Sequence, residues 1–150
     1  MTKENVVNEK AVRGFTLIEL LVVILIIGIL AAVTFPQYQR AVLETRVKSI
    51  LYTAQPLFKA AQLYHLEHGQ WPDSLDKLNV EMDDNQCEYI SGSIMCNATG
   101  IHKVGIRYFY GSKIACYAEK SSSRYNEICK KITSKNSGWD SGSYTYYWLD

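Results

Sequence analysis

Between Phe15 and Phe35 the chain reads FTLIELLVVILIIGILAAVTF, an apolar run of membrane length that carries one charge, Glu19. As a helix this run rises about 31 Å, enough to cross the hydrocarbon core of a bilayer. A carboxylate there costs on the order of 2.5 to 3.5 kcal/mol at mid-bilayer, and less toward the surface, unless a partner compensates it. Glu19 sits near one end of the run, so it either snorkels to the headgroups or has such a partner.

Three kinds of N-terminal segment compete for this pattern. A cleaved secretory signal has an apolar region of about 7 to 15 residues followed by small residues. This run is longer, and Ala31 and Ala32 lie inside it. A permanent anchor accounts for the length and for the flank, where Lys3, Lys10 and Arg13 outnumber Glu4 and Glu9 and would stay in the cytoplasm. It gives no reason for Glu19. The third kind is a leader removed on the cytoplasmic side, ahead of the run.

The stretch Arg13-Gly14-Phe15-Thr16-Leu17-Ile18-Glu19, with the apolar run behind it, resembles the N-terminal signature of type IV prepilins and of the pseudopilins of type II secretion. The resemblance implies a cut after Gly14 by a prepilin peptidase, then methylation of the new amine on Phe15. Cleavage creates a positive charge at the tip of an apolar helix. A carboxylate one turn further in can neutralise that charge on a neighbouring subunit when helices stack in stagger, which makes Glu19 an assembly register. Pro36 and Tyr38 fall where many type IV pilins carry a helix-kinking proline and an aromatic. Gly28 and Pro36 together mark a segment of weakened helical hydrogen bonding, and the resemblance implies that such a segment can lose helicity in a fibre.

The expected fold is α+β: a long N-terminal helix, half transmembrane and half amphipathic, packed on a small antiparallel β-sheet head. The expected divisions are a leader over 1–14, a membrane and assembly helix over 15–35, an amphipathic continuation over 36–68 and a β-rich head over 69–150. Expected partners are copies of the same chain, the prepilin peptidase and an inner-membrane assembly platform, with no cofactor. Before assembly the chain would cross the inner membrane once, N-terminus in the cytoplasm and head outside. Afterwards it would lie in an extracellular pilus or, for a pseudopilin, a periplasmic pseudopilus. The alternative from another class is a signal-anchored extracytoplasmic enzyme or binding module.

Past Pro36, Leu43, Val47, Ile50, Ala54, Leu57, Ala61 and Tyr64 recur at steps of three and four, one stripe of a helix that would face a sheet. Pro36 and Pro56 each remove a backbone donor, which predicts kinks rather than full breaks. Gly69 is placed to close the helix in the left-handed conformation. The adjoining Gly69-Gln70-Trp71-Pro72-Asp73-Ser74-Leu75-Asp76-Lys77-Leu78 resembles the G-x-aromatic-P-x-x-L-x-x-L connector after the long helix of many pilins and pseudopilins. There Trp71 and Leu75 would cover the helix end, and Asp73 or Ser74 would cap a short turn. Strand patterns occur at 86–91, 93–97, 104–110 and 113–119, with a short helix or turn over 121–132. A terminal strand would show Tyr144, Tyr146 and Trp148 on one face and Thr145, Tyr147 and Leu149 on the other.

Cys87, Cys96, Cys116 and Cys129 form an even set beyond a membrane segment, which reads as disulfides rather than thiols. Three connectivities are open. The sequential one, Cys87–Cys96 with Cys116–Cys129, closes two short loops and is preferred, and its second bridge resembles the disulfide-bounded region of many type IV pilins. No C-x-x-C pair supports zinc.

Catalytic signatures are absent: the sequence has no G-x-S-x-G, P-loop or G-x-G-x-x-G. His65 and His68 read as exposed polar residues at a helix end, and His102 as a lone strand-edge histidine. Glu81, Asp83, Asp84 and Asn85 read as solvated turn charge, since they lack the glycine and distal glutamate of a calcium loop. Asn97-Ala98-Thr99 fits a glycosylation sequon or a polar turn. Lys130, Lys131 and Lys135 precede an aromatic tail, yet the formal net charge is only +1, so nucleic acid is not an expected partner.

Overall fold

The computed structural model describes residues 14–81, 86–98 and 103–150. The leader 1–13 lies outside the described residues, as do Asp83, Asp84, Asn85, Thr99 and His102. The chain divides into two units, one ending at Gln37 and one comprising Tyr38–Asp150. Helix α1 (Leu17–Thr53) contributes its first part to the former and the rest to the latter.

In the N-terminal unit α1 is built from side chains that find no protein cover. Phe15 is 88% exposed and Leu17 89%, and even the least exposed large apolar residue of the run, Val22, remains 45% exposed. The mean hydropathy of the run's most apolar window is 3.0, and by length and composition the helix can cross a membrane.

Within the second unit the helical path continues as α2 (Gln55–His68) after a single-residue interruption at Ala54. Ala54 keeps right-handed helical angles, its N–H donates to the Ile50 carbonyl at 2.9 Å, and its carbonyl accepts from Phe58 N–H at 3.1 Å. Pro56 occupies the first turn of α2, where its missing donor costs nothing. α1 runs through Pro36 without interruption. The expected single helix over 36–68 is therefore the end of α1 followed by α2. Gly69 terminates α2 at φ 70°, and its N–H donates to the His65 carbonyl at 2.8 Å.

The chain next makes one 3₁₀ turn at Leu75–Lys77, whose N-cap Ser74 accepts from Asp76 N–H. Among the described residues six strands come after it: β1 (Cys87–Tyr89), β2 (Ser93–Asn97), β3 (Val104–Phe109), β4 (Ile114–Glu119), β5 (Trp139–Ser141) and β6 (Tyr144–Trp148). Between β4 and β5 lies α3 (Ser123–Thr133), capped by Ser122. The strands form one antiparallel sheet ordered β1-β2-β3-β4-β6-β5. The fold is α+β, as the apolar patterning requires. β5 falls in a stretch that sequence alone reads as a loop, because its three residues are all exposed and carry no alternation.

One sheet face receives the helical stripe. Leu43, Val47, Ile50, Ala54, Leu57 and Ala61 pack with Ile94, Ile106, Cys116 and Tyr147 into the main core. Phe58, outside the stripe, joins that core and lies against Tyr108, ring centroids 5.1 Å apart. The opposite face carries a second cluster in which Met95, Ala115, Tyr117 and Tyr146 are buried, with Phe109, Tyr144 and Trp148 around them. The alternation along β6 thus sends Tyr146 to one core and Tyr147 to the other.

α3 is fastened to the sheet and to α1. Cys116 on β4 and Cys129 on α3 form one disulfide; the other joins Cys87 and Cys96, directly opposed on β1 and β2. At the surface, Glu44 of α1 accepts from Lys131 of α3 and from Lys48, each at 2.7 Å, and these hydrogen bonds hold its carboxyl below the usual value of 4.5. A lowered carboxylate pKa stabilises the fold at pH above the unperturbed value; the gain disappears as pH falls through the folded one. Glu44→Gln should therefore cost about 0.5 to 1 kcal/mol at neutral pH, read as thermal unfolding of the full chain in detergent. The difference from the parent should shrink as pH falls below 4.5 and through the lowered value of the folded carboxyl.

Candidate functional site

The start of α1 holds Gly14, Phe15 and Glu19 within one turn and a half of chain. Gly14, Phe15 and Thr16 precede the helix and are exposed. Thr16 and Glu19 cap each other. Glu19 Oε2 accepts from Thr16 N–H at 2.8 Å and from Thr16 Oγ1 at 2.6 Å, while Glu19 N–H donates to Thr16 Oγ1 at 3.3 Å. This reciprocal arrangement satisfies N–H groups that open a helix and otherwise lack partners. Reading the run by its charge alone passes over Thr16, although Thr-x-x-Glu ahead of an apolar run is the signal for such a cap. Glu19 is therefore satisfied within a single chain, and the acid is less anomalous than its apolar surroundings suggest.

Further along, Leu21, Ile24, Leu25, Gly28, Ile29 and Ala32 line one open apolar cleft of about 500 Å³. A Cβ built on Gly28 meets nothing within 4 Å, so nothing in the described chain requires glycine there. Pro36 lies in α1, four residues beyond Ala32.

The head presents rings and ion pairs rather than convergent catalytic groups. His65 is half-buried, not exposed as expected: its ring stacks on Trp71 at 4.1 Å, and Trp71 stacks on Tyr110 at 4.8 Å. His68 is exposed and stacks on Tyr64. Sequence patterning misses the first stack because ring contacts across a loop leave no periodic trace. Of the three lysines ahead of the aromatic tail, Lys131 is paired with Glu44 and Lys135 with Asp150. On the second sheet face Arg107 donates to Ser93 Oγ at 2.9 Å and Tyr146 Oη at 2.7 Å, and its guanidinium lies 4.7 Å from the Phe109 centroid. Tyr117 Oη donates to Asn97 Oδ1, and burial pushes that phenol far above its usual pKa, so it acts as a fixed donor. Among the described residues no group of three or more His, Cys, Asp or Glu is arranged to hold a metal.

The family profile of the prokaryotic N-terminal methylation motif matches residues 10–35. A fimbrial protein of Neisseria meningitidis serogroup A is 30% identical over 129 residues, 83% of this chain and 76% of that protein. The type IV major pilin protein PilE1 of Neisseria gonorrhoeae is 45% identical over 62 residues, 41% of this chain and 38% of that protein. Prepilin peptidase-dependent protein D of Escherichia coli K12 is 49% identical over 57 residues, 38% of this chain and 39% of that protein. The first of these similarities extends beyond the apolar helix into the disulfide-bonded head, and together with the helix and the sheet it places the chain in the family of type IV pilins and pseudopilins.

Proposed function

We propose that this chain is a type IV pilin-like structural subunit, stored in the inner membrane as a precursor, cut after Gly14 and polymerised through its apolar helix into a surface filament. The observation that carries the reading is the uncovered run from Phe15 to Phe35, whose large apolar side chains stay exposed in the single chain. Such a surface persists only in lipid or against other apolar helices. Lipid holds the precursor, and copies of the same helix replace lipid in the filament. Glu19 then serves twice, as the cap of its own helix and as counter-charge for the Phe15 amine of a neighbour. The unfilled space at Gly28 supports a role in close approach of a second helix, and Gly28 with Pro36 marks where the helix can yield in a fibre. In this reading the chain is the substrate of the prepilin peptidase and of the methylating enzyme, and catalyses nothing itself.

The second reading, a pseudopilin of type II secretion, shares the N-terminal chemistry. The pilin reading is preferred because the chain's relatives include a fimbrial protein and a major pilin. Mass spectrometry of chain purified from cells with a prepilin peptidase is expected to find a mature N-terminus at Phe15, heavier by one methyl group. An intact Met1, or a cut within the apolar run, would sink the processing step. Surface filaments in sheared fractions separate pilus from periplasmic pseudopilus.

A further inference from the structure

Within the second unit, Tyr38, Gln39, Val42 and Arg46 of α1 face Arg124 and Tyr125 of α3 across a cleft of about 340 Å³. Neighbouring cations are already engaged: Arg40 lies 3.9 Å from Glu127, and Lys48 and Lys131 both hold Glu44. Arg46 and Arg124 have no carboxylate partner among the described residues. Nε of Arg124 is shielded from solvent with no hydrogen-bond partner there. A shielded N–H without an acceptor is costly, and two guanidiniums lining one cleft without an acid repel.

We infer that this cleft binds a phosphate group. A guanidinium offers a planar fork of donors that matches phosphate oxygens two at a time, and two arginines and two tyrosines lining one cleft suit one anion of several acceptors. An aliphatic side chain, Val42, and two tyrosine rings also line the cleft, and Tyr38 lies three residues past Phe35, the end of the apolar run. Tyrosine is enriched where a chain leaves the bilayer. The phosphate can therefore come from a phospholipid headgroup or from solution. The inference concerns the unit Tyr38–Asp150 alone and stands independently of filament assembly.

Calorimetric titration of the full chain in non-ionic detergent tests it with three probes: dihexanoylphosphatidylglycerol, inorganic phosphate and the phosphate-free dihexanoylglycerol. The phospholipid is expected to bind. Arg46→Gln with Arg124→Gln should weaken it by at least about tenfold, and Lys59→Gln on exposed α2 surface should leave it unchanged. Inorganic phosphate competing at comparable concentration supports the site with free phosphate as its source; failure to compete supports it with lipid as the source. Equal binding of dihexanoylglycerol, no binding of either phosphate probe, or undiminished binding by the double variant overturns the assignment. Should the double variant unfold, Arg46→Gln alone, at an exposed position, carries the same expectation in weaker form.

Discussion

Glu19→Ala is expected to remove the chain from surface filaments while leaving a folded, disulfide-bonded head in the membrane. Two roles could produce that loss, and they are separable. As a cap, the carboxylate accepts from both the N–H and the hydroxyl of Thr16. Losing the carboxylate half of this reciprocal cap frays one helix end. As the proposed counter-charge to a neighbour's amine, it would be one half of a pair in a setting emptied of water, where deleting one partner leaves the other charge uncompensated. The expected result is a loss of roughly a hundredfold or more in incorporation. Glu19→Gln decides between them. Glutamine can take the third position of the reciprocal cap, so it preserves the helix start, but it carries no charge. If charge pairing sets the register, sheared filament fractions should be as empty for Glu19→Gln as for Glu19→Ala. Filaments at parental levels from the glutamine variant would leave Glu19 with its capping role and remove the counter-charge from the account.

The sequence was legible where side chains repeat at a backbone period. Leu43, Val47, Ile50, Ala54, Leu57 and Ala61 keep the helical period and all enter the main core. Tyr144, Tyr146 and Trp148 alternate with Thr145 and Tyr147, and they divide between the two faces as alternation demands. Gly69 and Ser74 were legible for a different reason: each answers a local backbone need, a left-handed closure and an N-cap, that does not depend on distant residues. What escaped was long-range or brief. β5 exists because Trp139, Asp140 and Ser141 pair with Tyr146, Thr145 and Tyr144 along an edge of the sheet, not because of anything in its own composition. The stack of His65, Trp71 and Tyr110 joins the end of α2 to one residue of the loop after it and one of the turn after β3. The cleft holding Arg46 and Arg124 brings together residues far apart in the chain, and no motif announces it. At the helix start, by contrast, Thr16 was within reach of local reasoning, since its cap depends only on a residue three positions away.

Gly105→Ala is expected to be the most damaging conservative change in the head. The position lies in the middle of the sheet, opposite Asn97 on β2 and Tyr117 on β4. A Cβ there would collide with the Cys96 carbonyl oxygen and stand 2.8 Å from Tyr117 Oη. The first obstacle is backbone, so it cannot swing aside as a flexible side chain would. Relief requires β2 and β3 to separate, yet Cys96 is tied to Cys87 by a disulfide and is itself fully buried. The second obstacle is the phenol that donates to Asn97 inside the sheet; displacing it breaks that buried hydrogen bond. Overpacking costs about 1 to 3 kcal/mol and a lost buried hydrogen bond about 1 to 3 more, so the variant should lose about 2 to 6 kcal/mol. Thermal or denaturant unfolding of the full chain in detergent, with the disulfides oxidised, measures it. A midpoint within a few degrees of the parent would mean that the strands yield more readily than their disulfide and buried ladder imply. The same strain predicts an order of failure: local opening at β2 and β3 should precede global unfolding, visible as early hydrogen exchange at residues of that ladder while α2 stays protected.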